Sequence, residues 1–235
     1  RQGLIKRTPL SQFRNIRKAG LIAIGLNEGD ALVWSHLTGG DDEIIVATHD
    51  GAAIHFTESG ARAMGRTGHG VRVIKLREGD YVIGAGVCRP GATVLTITED
   101  GKGRRSRIDD YRITKRGGLG IRNYAKGGVA AVKIVDDTDD LIMVSANGIL
   151  IRMHADDINI QSRYGSGVRV MRLAADDKVA MVARADRDNG AETEKPEEDT
   201  EGEPTAEELA RMEAQEAADA AADAADTTPD EEDET

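Results

Sequence analysis

Two glycine series recur along this chain at a period of nearly fifty residues. Gly3, Gly51, Gly101 and Gly148 stand 48, 50 and 47 positions apart. Gly20, Gly70, Gly120 and Gly167 follow them, 17 residues later in the first repeat and 19 in the others. A short run rich in apolar residues follows each second glycine, at 21–24, 71–74, 121–124 and 168–171. Self-similarity at this period predicts an array of β-blades, because one such unit cannot bury its own apolar face and must stack on its neighbours.

Within each repeat the pattern reads as four strands. Alternating or apolar segments at 43–48, 93–98 and 140–146 run into His49-Asp50-Gly51, Glu99-Asp100-Gly101 and Ala146-Asn147-Gly148. Asp-Gly and Asn-Gly between such segments are hairpin signals, since both residues tolerate positive φ. Returning strands are expected at 52–56, 102–107 and 149–153. A glycine-bearing excursion and two further strands then close the unit, usually around a Gly29-Asp30, Gly79-Asp80 or Asp176-Asp177 turn. The expectation is an all-β chain with very little helix, its repeats at about 1–40, 41–91, 92–139 and 140–186. From 187 to 235 Glu, Asp, Ala, Thr and Pro dominate, a composition that cannot offset its ordering entropy by burial, so a disordered acidic tail is expected.

Charge divides at the same place. Residues 1–186 carry 28 Lys and Arg against 22 Asp and Glu, whereas 187–235 carry 3 against 20. The net −11 therefore hides a basic-leaning body joined to a strongly acidic end, which is expected to compete with an anionic ligand for the basic face. One cysteine, Cys88, excludes an internal disulfide framework and fits a reducing cytoplasm. No stretch is long and apolar enough for a membrane helix, and no membrane contact is expected. The chain opens on Arg1 inside a repeat, which reads as a piece of something longer.

Positive charge recurs in register with the glycines. Four residues after each first glycine stand Arg7, His55, Arg105 and Arg152. Four before the later second glycines stand Arg66, Arg116 and Arg163, and two after them Arg72, Arg122 and Arg169. The densest cluster gathers Lys102, Arg104, Arg105, Arg107, Arg112, Lys115 and Arg116, ending in Gly117-Gly118-Leu119-Gly120. Glycine lets backbone amides approach a phosphate while a guanidinium donates two bonds to it. The expected contact set is Lys6, Arg7, Arg66, Arg72, Lys102, Arg104, Arg105, Arg107, Lys115, Arg116, Arg122, Arg163 and Arg169, with Gly117, Gly118 and Gly120. Few and scattered aromatics offer no stacking platform for single strands, so duplex DNA held through its phosphates is the ligand expected. The five histidines show no metal-ligand spacing, Cys88 reads as a packed thiol, and the acidic doublets read as turns. No nucleophile–base set is evident, so no catalytic residue and no metal are expected here.

The segments Gly3-Leu4-Ile5-Lys6-Arg7-Thr8-Pro9-Leu10 with Phe13-Arg14, Arg62-Ala63-Met64-Gly65-Arg66 leading to Gly70-Val71-Arg72, and Tyr111-Arg112 leading to Arg116-Gly117-Gly118-Leu119-Gly120 resemble the C-terminal domain of the A-type polypeptide of bacterial DNA gyrase, a type IIA topoisomerase. That resemblance covers 1–186. It implies a six-bladed β-pinwheel, about four blades of it present, with strands exchanged between neighbours and a rim that wraps duplex DNA during ATP-dependent negative supercoiling. It also implies a cytoplasmic, chromosome-associated complex with the rest of the gyrase A polypeptide and with the ATP-hydrolysing gyrase B polypeptide, in which ATP and magnesium are held by other parts. Lys115 to Gly120 is a partial copy of the family's Gln-Arg-Arg-Gly-Gly-x-Gly box, with Thr114 and Lys115 where the box has Gln and Arg. Alternatives are the A-type polypeptide of topoisomerase IV and a protein-binding propeller of the WD40 or kelch kind, whose blade signatures are not found in the sequence.

Overall fold

The structure, a computed structural model, describes residues 1–16 and 18–187. The expected tail, apart from Arg187, lies outside them. The described residues fall into two units, one of Arg1–Pro9 with residues 24–187 and one of residues 10–16 and 18–23. The described part of the second unit holds one 3-10 turn, Leu10–Phe13, and exposes Leu10, Ile16 and Ile22.

The first unit is built from antiparallel sheets. Its strands are β1 (Leu4–Ile5), β2 (Glu43–Thr48), β3 (Ala52–Thr57), β4 (Val71–Arg72), β5 (Val82–Val87), β6 (Thr93–Thr98) and β7 (Lys102–Arg107). There follow β8 (Ile121–Arg122), β9 (Val129–Val135), β10 (Asp139–Ser145), β11 (Leu150–His154), β12 (Val168–Arg169) and β13 (Val179–Asp186). They order as β5-β2-β3-β8, β12-β7-β6-β9, β11-β10-β13 and the pair β1-β4. The four strands of a sheet are thus not the four of one repeat. Each repeat keeps three and sends a two-residue strand onto the sheet of the repeat before it: β4 onto β1, β8 onto β3, β12 onto β7. Among the described residues, repeat one contributes only β1. Residues 21–24, expected as a strand, form none.

The exchange accounts for both glycine series. An L-residue Cβ at Gly70, Gly120 or Gly167 would meet the carbonyl oxygen of Ile5, Ala53 or Gly103 at 2.6, 2.4 and 2.7 Å, on the strand being joined. In return, Gly3, Gly51 and Gly101 lie so close to the carbonyls of Ile74, Tyr124 and Met171 that a Cβ would stand 2.9, 2.3 and 2.4 Å away. Gly148, beside β11, which receives no exchanged strand, has nothing within 4 Å.

The hairpin turns form as expected but by another conformation. Among the described residues only glycines take positive φ, so Asp50, Asp100 and Asn147 do not. Gly51 N–H donates to the Thr48 carbonyl at 3.1 Å and Ala52 N–H to the Thr48 hydroxyl at 3.1 Å. Thr98 and Ser145 repeat the arrangement toward Lys102 and Ile149. A three-residue loop with glycine in the left-handed position needs no such strain of Asp or Asn. The Asp of the later turns spans two loops: Asp80 Oδ1 accepts from Asp50 and Tyr81 N–H, Asp177 Oδ1 from Asn147 and Lys178 N–H.

The core lies between successive sheets. One cluster joins Ile44, Val46, Ile54 and Phe56 to Val73 and Ile74; a second joins Ile45 and Ala53 to Val94, Val129 and Val132; a third joins Leu95 and Ile97 to Leu141, Met143 and Val182. β5 lies against β9, and β9 against β13, where Gly84 and Gly86 leave room for Val132 and Ile134. Covered on both faces, a central strand such as β6 is buried at every position.

Candidate nucleic-acid interface

The basic residue four places after Gly3, Gly51 and Gly101 turns out to be a latch. Arg7 Nε donates to the Ala61 carbonyl at 2.7 Å, His55 Nδ1 stands 2.6 Å from the Tyr111 carbonyl, and Arg105 Nε donates to Ile158 at 2.7 Å. Each carbonyl belongs to the residue whose N–H closes the 3-10 turn of the following repeat, at Glu58–Gly60, Ile108–Asp110 and Ala155–Asp157. An acid lies beside each of the three latches, Glu43 standing 3.2 Å from His55 Nε2. Arg7 lies 3.6 Å from Glu58, and Arg105 pairs with Asp137. Burial pushes the Glu58 carboxyl up, but hydrogen bonds from Thr38, Asp42 and Gly40 and the charge of Arg7 outweigh it and hold its pKa low. Arg152 turns back onto Asp140 at 2.7 Å within its own sheet.

Arg104 is likewise internal. At 1% exposure it donates to the carbonyls of Arg163 and Gly165, both at 2.7 Å, and to the carbonyl and side chain of Asn123. Tyr111 and Thr96 complete that buried network through Asn123. Arg104 and Arg105, expected among the phosphate contacts, are therefore corrected to structural arginines. Both faces of β7 are packed between Gly103 and Ser106, so the charges of Arg104 and Arg105 cannot reach solvent where an isolated strand would let them.

A second register ties the excursions together. Arg116 donates to the carbonyls of Gly60 at 2.6 Å and Arg72 at 3.0 Å, and Arg163 to that of Arg122 at 2.7 Å. Lys6 donates to the carbonyls of Gly65 and Arg66; burial, then the charge of Arg66, lowers its pKa. Arg66 is half-buried, with its own partner. Gly117, at φ +85°, donates to Val73, and Gly118 accepts from Lys75, so this loop is pinned to the preceding repeat. Gly120 serves the strand exchange described above.

What remains exposed is an ordered row. Arg72, Arg122 and Arg169 project from the exchanged strands β4, β8 and β12, opposite Leu4, Ala52 and Lys102. These strands form the sheet edges away from β5 and β9, one arginine to a sheet at one register. Arg122 lies over the Tyr164 ring at 5.3 Å, shared with Arg163 at 4.3 Å. Arg107 and Lys115 are exposed; Lys102 is half-buried, held 2.9 Å from Asp100. Arg62 and Arg112, outside the expected contact set, are exposed as well; the signal for them is their common place eleven residues after a first glycine.

Histidine spacing shows no metal set, yet the fold brings together Glu43 of β2, His55 of β3 and Cys88, the residue after β5, their ligand atoms within 4.8 Å of one another. Burial, then the nearby Glu43 charge, pushes the Cys88 thiol up to about 12. No described helix is long and apolar enough to cross a membrane.

The chain is similar to known proteins across this unit. Over 206 residues it is 38% identical to the A-type polypeptide of DNA gyrase from Staphylococcus aureus (strain NCTC 8325 / PS 47), covering 85% of this chain and 23% of that protein. The chain thus spans about a quarter of the length of the curated relatives it matches. A solved structure of a DNA gyrase A C-terminal domain superposes with a TM-score of 0.69 at 26% identity, over 78% of this chain and 62% of that one. A crystal structure of the C-terminal domain of DNA topoisomerase IV shares the fold, with a TM-score of 0.75 at 22% identity over 92% and 64%. The model of the family described as DNA gyrase C-terminal domain, beta-propeller, matches 1–38, 42–89, 92–137 and 139–185, and the chain belongs to that family.

Proposed function

We propose that the chain binds duplex DNA through its phosphates, independently of sequence, and bends it along the exposed arginine row. The observation that carries this reading is the common register of Arg72, Arg122 and Arg169 on exchanged edge strands. Lys102, Arg107, Lys115, Arg62 and Arg112 supply further contacts, while Lys6, Arg7, Arg66, Arg116 and Arg163 hold the loops between them. Bending 20–30 bp by 40–90° costs about 1–6 kcal/mol, which counterion release at successive phosphates offsets. In the whole protein this segment would wrap DNA for supercoiling by a type IIA topoisomerase. Its partners there would be the rest of the gyrase A polypeptide and the gyrase B polypeptide in an A2B2 complex, ATP and magnesium being held elsewhere. The 38% identity to the gyrase A polypeptide supports this role.

Sealing nicked circular DNA with a ligase in the presence of the full chain tests the reading. Wrapping leaves a shift in linking number that grows with protein concentration, and unrelated duplexes bind with similar affinity. Binding confined to one sequence, or no shift at saturating protein, would contradict it.

A further inference from the structure

We propose that Glu43, His55 and Cys88 form a site for a divalent transition metal of the zinc class. Three observations point to it. The first is spacing: His55 Nε2 lies 3.2 Å from Glu43 Oε2 and 3.6 Å from Cys88 Sγ. A tetrahedral ion with ordinary Zn–N, Zn–O and Zn–S bonds separates such nitrogen and oxygen ligands by about 3.3 Å and nitrogen and sulfur by about 3.6 Å. The two measured edges already match, and Glu43, with its side chain 43% exposed, has the freedom to set the third.

The second is the orientation of the imidazole. Nδ1 faces the Tyr111 carbonyl at 2.6 Å, a contact only an N–H can make, so Nδ1 carries a proton. In the neutral ring the lone pair is then on Nε2, which faces the thiol and the carboxylate. A ring nitrogen tied to a backbone carbonyl with the other aimed at acidic ligands is how metal-binding histidines are commonly held.

The third is register. Strand pairing aligns Glu43 with Thr93 and Asp140, His55 with Arg105 and Arg152, and Cys88 with Val135 and Ala185. The sister sheets hold a permanent cation at the central position and an apolar residue at the third. Only the sheet of β2 and β3 carries ligand atoms at all three. Histidine keeps the carbonyl latch of its sister Arg105 but, unlike arginine, can present a lone pair.

Binding converts the Cys88 thiol to a thiolate on the metal, and one proton leaves to solvent for each ion bound. Solvent has room at the exposed Glu43 side to supply a fourth ligand. The bound ion would join β2, β3 and β5 and, through His55 Nδ1, fasten them to the Tyr111 turn of the next repeat.

Cobalt(II) titration of the full chain tests this. Thiolate-to-cobalt charge-transfer absorption should rise to a plateau at one equivalent and be displaced by zinc. Cys88→Ser should abolish that absorption. His55→Arg restores the residue its sister position uses and keeps the latch; it should stay folded by circular dichroism and bind cobalt at least about tenfold more weakly. Zinc should raise the thermal midpoint of the unmodified chain but not of His55→Arg. Absence of thiolate absorption, its persistence in Cys88→Ser, or equal affinity in His55→Arg would overturn the proposal.

Discussion

Arg104 and Arg122 are eighteen residues apart, and their surroundings assign them opposite work. Arg104 is enclosed, and its guanidinium satisfies the carbonyls of Asn123, Arg163 and Gly165. Each buried acceptor left without a donor costs about 1–3 kcal/mol. Arg104→Ala should therefore lower stability by at least about 3 kcal/mol, read as a lower urea midpoint. Arg122→Ala should leave stability within about 0.5 kcal/mol of the unmodified chain, since exposed positions tolerate change, yet weaken duplex DNA binding. In the sequence these two arginines look alike. Counting places from glycine found both the latch and the exposed row but could not separate them. Alternation along a strand assigns one face to solvent, and in the middle of β7, at Arg104 and Arg105, neither face meets it.

At the scale of elements, the hairpins β2–β3, β6–β7 and β10–β11 were legible because Gly51, Gly101 and Gly148 close them. The exchange of β4, β8 and β12 was legible only as an implication of family resemblance. Val71-Arg72 and its counterparts read equally well as strands of their own repeat, and only the carbonyls facing Gly70, Gly120 and Gly167 reveal the crossing. Gly120→Ala and Gly148→Ala separate the exchange from simple backbone strain. Both glycines have positive φ, so each substitution costs about 1–2 kcal/mol for the left-handed conformation. At Gly120 the methyl would also meet the Ala53 carbonyl at 2.4 Å, whereas at Gly148 it meets open space. Urea unfolding should show Gly120→Ala as the more destabilised by at least about 1 kcal/mol. Equal losses would mean that the exchanged strand does not need that close approach.

For the whole chain, charge decides how an acidic protein can hold DNA. The balance of +6 over 1–186 and −17 over 187–235 would set the acidic end in competition with the ligand. A tethered acidic segment has a high effective concentration near the basic row, and screening over about 8–10 Å weakens it at physiological salt. Removing residues 190–235 should tighten duplex binding at low ionic strength, with the gain shrinking as salt rises; equal affinities at low salt would leave that segment without such a role. The central claim concerns the row itself. Duplex affinity should be measured against salt concentration for the full chain and for a variant with Arg72→Ala, Arg122→Ala and Arg169→Ala. If each arginine holds one phosphate, the slope of log K against log salt should become shallower by about 0.9 for each, for any duplex sequence. A variant with normal stability and an unchanged slope would contradict the account.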